Sequence, residues 1–396
     1  MQRFIKEIGI DMIYIIKQAD KILAFFHNDV DIVYKTFLGS RWSDEHVVLD
    51  NAMKNFSINI SRDNSIYVFC GDSEGNIVLC VSEKDSETWS KKIMLSVPSD
   101  KNQLPIFFPM ISDTLSLIYN SPTDNTLLIQ NMNFDNTWQP PTILDKVSGN
   151  FKVQNISHDH ALVFYQSVSK DNKPNIGYIE VSPHAYSKNF KTIYSSPYPT
   201  VDTSFLTTYD KIYALYITKN MFGNQLFFKK IDDNGISNPI LVYENQRIEI
   251  CLLSIVNNQL TATFKSRGQL LISTSNDDGE SFTKPTAYKN KICSDLKKAT
   301  FICENPMSTA DFFTREVYVD EHAPWDIQVL PDLCNNFFDI PKIEKIISPP
   351  PPDTAKDEQI NYMTELIKQY KHELDELKQD NTLLEKKLLA LQKPNH

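Results

Sequence analysis

The chain of 396 residues contains only 10 glycines and 6 arginines. So little glycine excludes a collagen-like repeat. Basic residues number 40 against 50 acidic ones, for a net charge of −10. Non-specific binding to nucleic acid or to an anionic membrane surface needs a basic patch, so neither partner is expected. No apolar run approaches the 18 or so residues of a membrane-spanning helix. Near the start, Glu7 and Asp11 interrupt the apolar residues that follow Arg3 and Lys6, and no small-residue cleavage site follows. That pattern is not a secretory leader, and a cytoplasmic protein is expected. The 6 cysteines form no Cys-x-x-Cys pair, and Cys70, Cys80, Cys251 and Cys303 sit inside apolar runs. Buried free thiols in a reducing compartment are the expectation. Lysine outnumbers arginine 34 to 6 and asparagine is abundant, a bias that accompanies AT-rich bacterial genomes. Glycine-rich phosphate loops, Gly-x-Ser-x-Gly and His-Glu-x-x-His are all missing, so no cofactor or metal is expected.

What is present is repetition. Short strand-like runs fall into sets, each closing on a polar loop with an aromatic residue or a proline. First strands begin near residues 12, 56, 106, 151, 204, 248 and 299. The spacing is that of a β-propeller blade, a unit of four short strands repeating every 40–50 residues. Such a unit cannot bury both faces by itself, so neighbours must stack around an axis. The reading is an all-β fold, a six- or seven-bladed β-propeller over residues 1–335. Seven is preferred. The seventh set is one strand short, and residues 2–9 are placed to supply it.

Composition then shifts. Residues 336–353 read as a linker ending in Pro349–Pro352, a polyproline spacer. Residues 354–393 lack glycine and keep proline out, and their apolar positions alternate by three and four. Ile360, Ile367, Leu374, Asn381 and Leu388 take one seam position; Met363, Tyr370, Leu377, Leu384 and Leu391 take the other. A 3.5-residue seam of this length predicts a left-handed coiled coil. Asn381 inside the seam favours a parallel homodimer, whereas Tyr370 leaves room for a trimer. The segment before the seam is acidic, which excludes the DNA-contacting helix of a basic zipper.

One stretch carries a family resemblance. Ser275, Asp277, Gly279 and Phe282 fit the pattern Ser/Thr-x-Asp-x-Gly-x-x-Trp/Phe. In physical terms the aspartate accepts turn amides, the glycine supplies positive φ, and the aromatic packs under the hairpin. The pattern resembles the Asp-box of sialidase-like, BNR-repeat propellers. Ser82 to Trp89, Asn131 to Trp138 and Asp232 to Pro239 look like degenerate copies. The boxes sit at blade edges and are structural even in the enzymes. The resemblance implies a sialidase or related glycoside hydrolase, with an arginine triad gripping a carboxylate, a Tyr–Glu pair and an Asp acid/base. Arg41, Arg247 and Arg315 are the available arginines for a triad, but the Arg-Ile-Pro element of that family is absent. His158-Asp159-His160 is a short metal-type spacing without further ligands, so a polar turn is its reading.

The function expected is a non-catalytic, multivalent binding or scaffold protein. Its propeller would recognise a protein or glycan, and its coil would oligomerise it. The alternatives are a divergent carbohydrate-active hydrolase and a structural subunit of a phage or spore assembly.

Overall fold

The computed structural model describes residues 12–338, without 19–20, 97–106, 112–114, 169–173, 183–188, 196–199, 289–294, 304–311 and some further segments of one to three residues. The chain divides into two compact units, Met1–Pro341 and Lys342–His396. The coiled-coil seam from Ile360 to Leu391 and the Pro349–Pro352 linker lie outside the described residues. So do residues 2–9, proposed above as the missing strand, and His158 and Asp159. No described helix is long and apolar enough to cross a membrane.

The described chain is all-β and propeller-like. Six consecutive antiparallel sheets of four main strands cover residues 14–49, 52–96, 107–146, 151–195, 200–245 and 248–287. Second strands such as Ile22–His27, Ile66–Asp72 and Ile212–Lys219 are apolar almost throughout. A sheet covered on both faces needs apolar residues at odd and even positions alike, which is why the alternation of a half-exposed strand is lost here. First strands meet near a common axis. Asn155 of the fourth sheet reaches Asn59 of the second at 3.0 Å, and Gln154 donates to the Phe205 carbonyl of the fifth at 2.7 Å.

Residues 296–328 form the closing sector, with three strands in the first sheet and a short fourth in the sixth. Leu296–Cys303 runs parallel to the first strand, Tyr14–Lys17, so this sector extends the first sheet. Phe312–Thr314 pairs instead with Ile248–Val256 of the sixth sheet. The sector is thus hydrogen-bonded to both neighbours. Seven hydrophobic clusters are described, one at each junction around the ring. The seventh period is therefore a packing sector without being a separate sheet.

Two devices recur at the junctions. In the first five sheets the pairing of third and fourth strands slips by one residue. The extra residue on the outer strand is Val48, Met94, Leu144, Ile193 or Val242, and each joins the cluster shared with the following sheet. A bulge adds twist and blunts an edge strand; here it also supplies an apolar residue to the next junction. The second device is the aromatic of the loop between third and fourth strands. Trp42, Trp89, Trp138, Phe190 and Phe282 all pack on the cluster shared with the preceding sheet or sector.

The Ser275–Phe282 turn shows how such a loop is held. Ser275 Oγ donates to Asp277 at 2.7 Å and accepts from the Gly279 amide at 2.9 Å. Ser281 gives Asp277 both its hydroxyl, at 2.5 Å, and its amide, at 3.0 Å. These donors, the Ser281 hydroxyl foremost, hold the Asp277 carboxyl down to about 2. The next residue, Asp278, binds the fifth sheet by accepting from Tyr213 at 2.6 Å and Lys211 at 2.9 Å. Phe282 meets Phe228 of the same sheet at 5.1 Å between ring centroids.

Gly279 has φ +89, and a Cβ there would lie 2.2 Å from the Phe228 ring, whereas Gly39 has φ +82 with open space around it. Gly39→Ala is expected to cost backbone strain alone, about 1 kcal/mol, and Gly279→Ala about 1–3 kcal/mol more. Urea unfolding of the two variants measures the difference.

Candidate functional site

The axis is where catalytic groups of a propeller hydrolase would be sought. First strands bring polar side chains there at alternate positions: Lys152 and Gln154 from Phe151–Ser157, and Asp202 and Ser204 from Thr200–Thr207. The closing sector adds Lys298 from Leu296–Cys303 and Glu316 from Glu316–Asp320.

These groups neutralise one another. Lys298 Nζ donates to Asp202 at 2.8 Å, to the Thr203 carbonyl at 2.7 Å and to the Cys251 carbonyl at 3.2 Å. It also stands 3.7 Å from Glu316. Lys152 Nζ reaches Glu316 at 2.5 Å and the Thr203 carbonyl at 2.8 Å. The Ser204 hydroxyl donates to Glu316 at 2.6 Å and accepts from the Leu253 amide at 3.1 Å. Asp202 also accepts from the Cys251 amide at 2.8 Å.

Burial opposes the charge on Lys298, but Asp202 and Glu316 outweigh it and raise its pKa. Burial likewise opposes ionisation of Glu316, but Lys152, Lys298 and Ser204 outweigh it and hold its carboxyl below the ordinary range. A general acid needs a pKa raised towards neutrality, and Glu316 is moved the other way. Burial foremost, with the nearby Asp202 and Glu316 carboxylates, pushes the Cys251 thiol up, away from a reactive thiolate.

The three arginines considered for a carboxylate grip are not joined. Arg247 is exposed and pairs with Glu249 at 2.8 Å. Arg41 lies in an exposed turn, where its carbonyl accepts from Leu38. Arg315 lies at the axis and donates to the Asn155 carbonyl at 3.0 Å. No group of three or more His, Cys, Asp or Glu among the described residues has a metal-holding arrangement. Cys70 and Cys80 are buried free thiols on adjacent strands, in contact with each other.

A second region lies between the fourth and fifth sheets. Tyr194 and Phe227 flank Tyr216, with centroids at 4.5 Å and 5.8 Å. Tyr216 is 1% exposed and its hydroxyl has no partner. Lys229, below it, donates to the Ile193 carbonyl at 2.9 Å. Burial lowers its pKa, and no carboxylate counters the effect. Tyr194 and Phe227 are half-buried at this junction, whereas the Tyr216 hydroxyl is closed to solvent.

The sequence reading missed both regions. Its search went to short catalytic motifs, whereas these residues come from separate strands. The available signal was polar residues alternating within otherwise apolar first strands, as in FKVQ (151–154).

Because removing one partner leaves buried charges uncompensated, Lys298→Met is expected to cost about 3–5 kcal/mol. Thermal or urea unfolding at neutral pH checks this, with the exposed Lys54→Met, expected within about 0.5 kcal/mol of wild type, as reference.

No family model matches the chain, and no curated protein matches it. Among solved structures, the chain is similar to the BP39L lectin from Burkholderia pseudomallei, with 12% identity and a TM-score of 0.47 over 68% of this chain and 81% of that one. It is similar to AofleA from Arthrobotrys oligospora, with 9% identity and a TM-score of 0.43 over 71% and 87% of the two chains. It is also similar to the Aleuria aurantia lectin, a six-bladed β-propeller, with 11% identity and a TM-score of 0.41 over 71% and 97%.

Proposed function

We propose that this is a non-catalytic binding protein. Its propeller recognises a glycan or protein surface, and residues 354–393 join two copies in a parallel coiled coil. The observation that carries the non-catalytic reading is the occupation of the axis. Asp202 and Glu316, the two carboxylates placed there, are each held by lysine and by further donors, and neither is free to act as acid, base or nucleophile. The glycan reading is supported by the half-buried Tyr194 and Phe227 rings at the junction of the fourth and fifth sheets, which flank Tyr216. Joining two propellers would turn a weak contact at one such junction into avidity without adding a contact.

Light scattering of the full chain should give a dimer mass, and a chain ending at residue 345 should give a monomer. A monomeric full chain overturns the oligomer. On a glycan array, wild type should bind a restricted set of saccharides, and Tyr194→Ala should weaken them by about tenfold, the order of a lost aromatic contact of about 1.4 kcal/mol. Unchanged binding by Tyr194→Ala would move recognition away from this junction, and a silent array would leave protein surfaces as the ligand class.

A further inference from the structure

The axial charges balance until Arg315 is counted. Lys152 and Lys298 offset Asp202 and Glu316. Arg315 adjoins Glu316 in sequence, yet among the described residues no carboxylate lies within ion-pair distance of its guanidinium. One Nη donates to the Asn155 carbonyl at 3.0 Å, and the Phe313 ring covers one side at 5.1 Å. The Nε is shut off from solvent and has no acceptor. The Asn155 side-chain amide is spent on Asn59, 3.0 Å away. Burial with no compensating carboxylate pulls the guanidinium down to about 10.

A guanidinium carries five N–H donors in one plane, and its charge persists at neutral pH. Removing it from water costs several kcal/mol unless an anion and enough acceptors take over. Arg315 is half-buried, and one carbonyl and a ring face leave its enclosed Nε without an acceptor. Glu316 does not meet it either: its oxygens face Lys152, Lys298 and Ser204, and no ion pair joins it to Arg315. The acceptor that fits a planar fork of donors is a small anion, and carboxylates and phosphate match its geometry best.

We propose that Arg315 binds a small solvent-borne anion at the propeller axis, and that this anion completes the charge balance of the closing sector. The site is structural in kind: it ties the sector to the fourth sheet through Asn155. It is independent of the junction between the fourth and fifth sheets.

The test is the melting temperature of the full chain in a buffer whose only anion is bulky. Chloride, acetate or phosphate is titrated in at constant ionic strength against gluconate. A ligand that binds only the folded state raises stability with the logarithm of its concentration above Kd. At least one of the three anions should raise the melting temperature by several degrees from a definable Kd, and the anion that does so identifies the ligand. Arg315→Met should lose that rise, and Arg315→Lys should keep part of it. If Arg315→Met does not fold, 35Cl line broadening by wild type, reversed by acetate or phosphate, serves as the supporting result. Wild type that melts alike in all three anions and in gluconate, with no chloride broadening, overturns the proposal. So does an Arg315→Met variant that keeps the same anion-dependent rise.

Discussion

The ring depends on one buried ion-pair network. Lys298 and Glu316 arrive on the closing sector, Asp202 and Ser204 on the fifth sheet, and Lys152 on the fourth. Lys298, Glu316 and Asp202 are largely withdrawn from water, at 13%, 11% and 19% side-chain exposure, so each needs the others in place. Such a network adds less to stability than its distances suggest, because desolvation cancels much of the attraction. Its effect is on register. A closing sector that docked one residue out of place would leave Asp202, Glu316 and Lys298 largely buried without partners. Ordinary apolar packing at the seventh junction does not impose so sharp a penalty on misalignment.

Away from the axis, the junctions are built from a repeated rule. Outer strands push an extra apolar residue forward into the next cluster, at Val48, Met94, Leu144, Ile193 and Val242. Loop aromatics reach back into the previous one. Each sheet therefore grips both neighbours, and stability is spread as a chain of nearest-neighbour interfaces, as in other repeat architectures. The closing sector substitutes backbone pairing for these devices. It runs parallel to Tyr14–Lys17 on one side and antiparallel to Ile248–Val256 on the other. Phe337 is fully buried against Phe301 and Phe312.

The same constraint bears on function. Among the described residues the axial carboxylates Asp202 and Glu316 are both engaged by lysine, while the Arg315 Nε has no acceptor. At the junction of the fourth and fifth sheets, by contrast, Tyr194 and Phe227 are half-buried on either side of the enclosed Tyr216 ring.

The sequence alone determined the all-β class, the period near 48 residues, the seven sets with a short seventh, and the turn at Ser275–Phe282. Each of these follows from local chemistry: which residues suit a pleated, doubly covered strand, and which suit a turn with positive φ. Loop aromatics such as Trp89 and Trp138 were visible as set endings, though not as wedges against the preceding sheet. Tertiary structure alone decided the rest. Asn59, Lys152, Asp202, Lys298 and Glu316 lie up to 257 positions apart in the chain, counted from Asn59 to Glu316. No local pattern pairs them, because what brings them together is the closure of the ring. A one-residue slip in an outer strand is likewise invisible in sequence, since Val48 or Ile193 suits a regular strand as well as a bulged one, and only the neighbouring sheet selects between them.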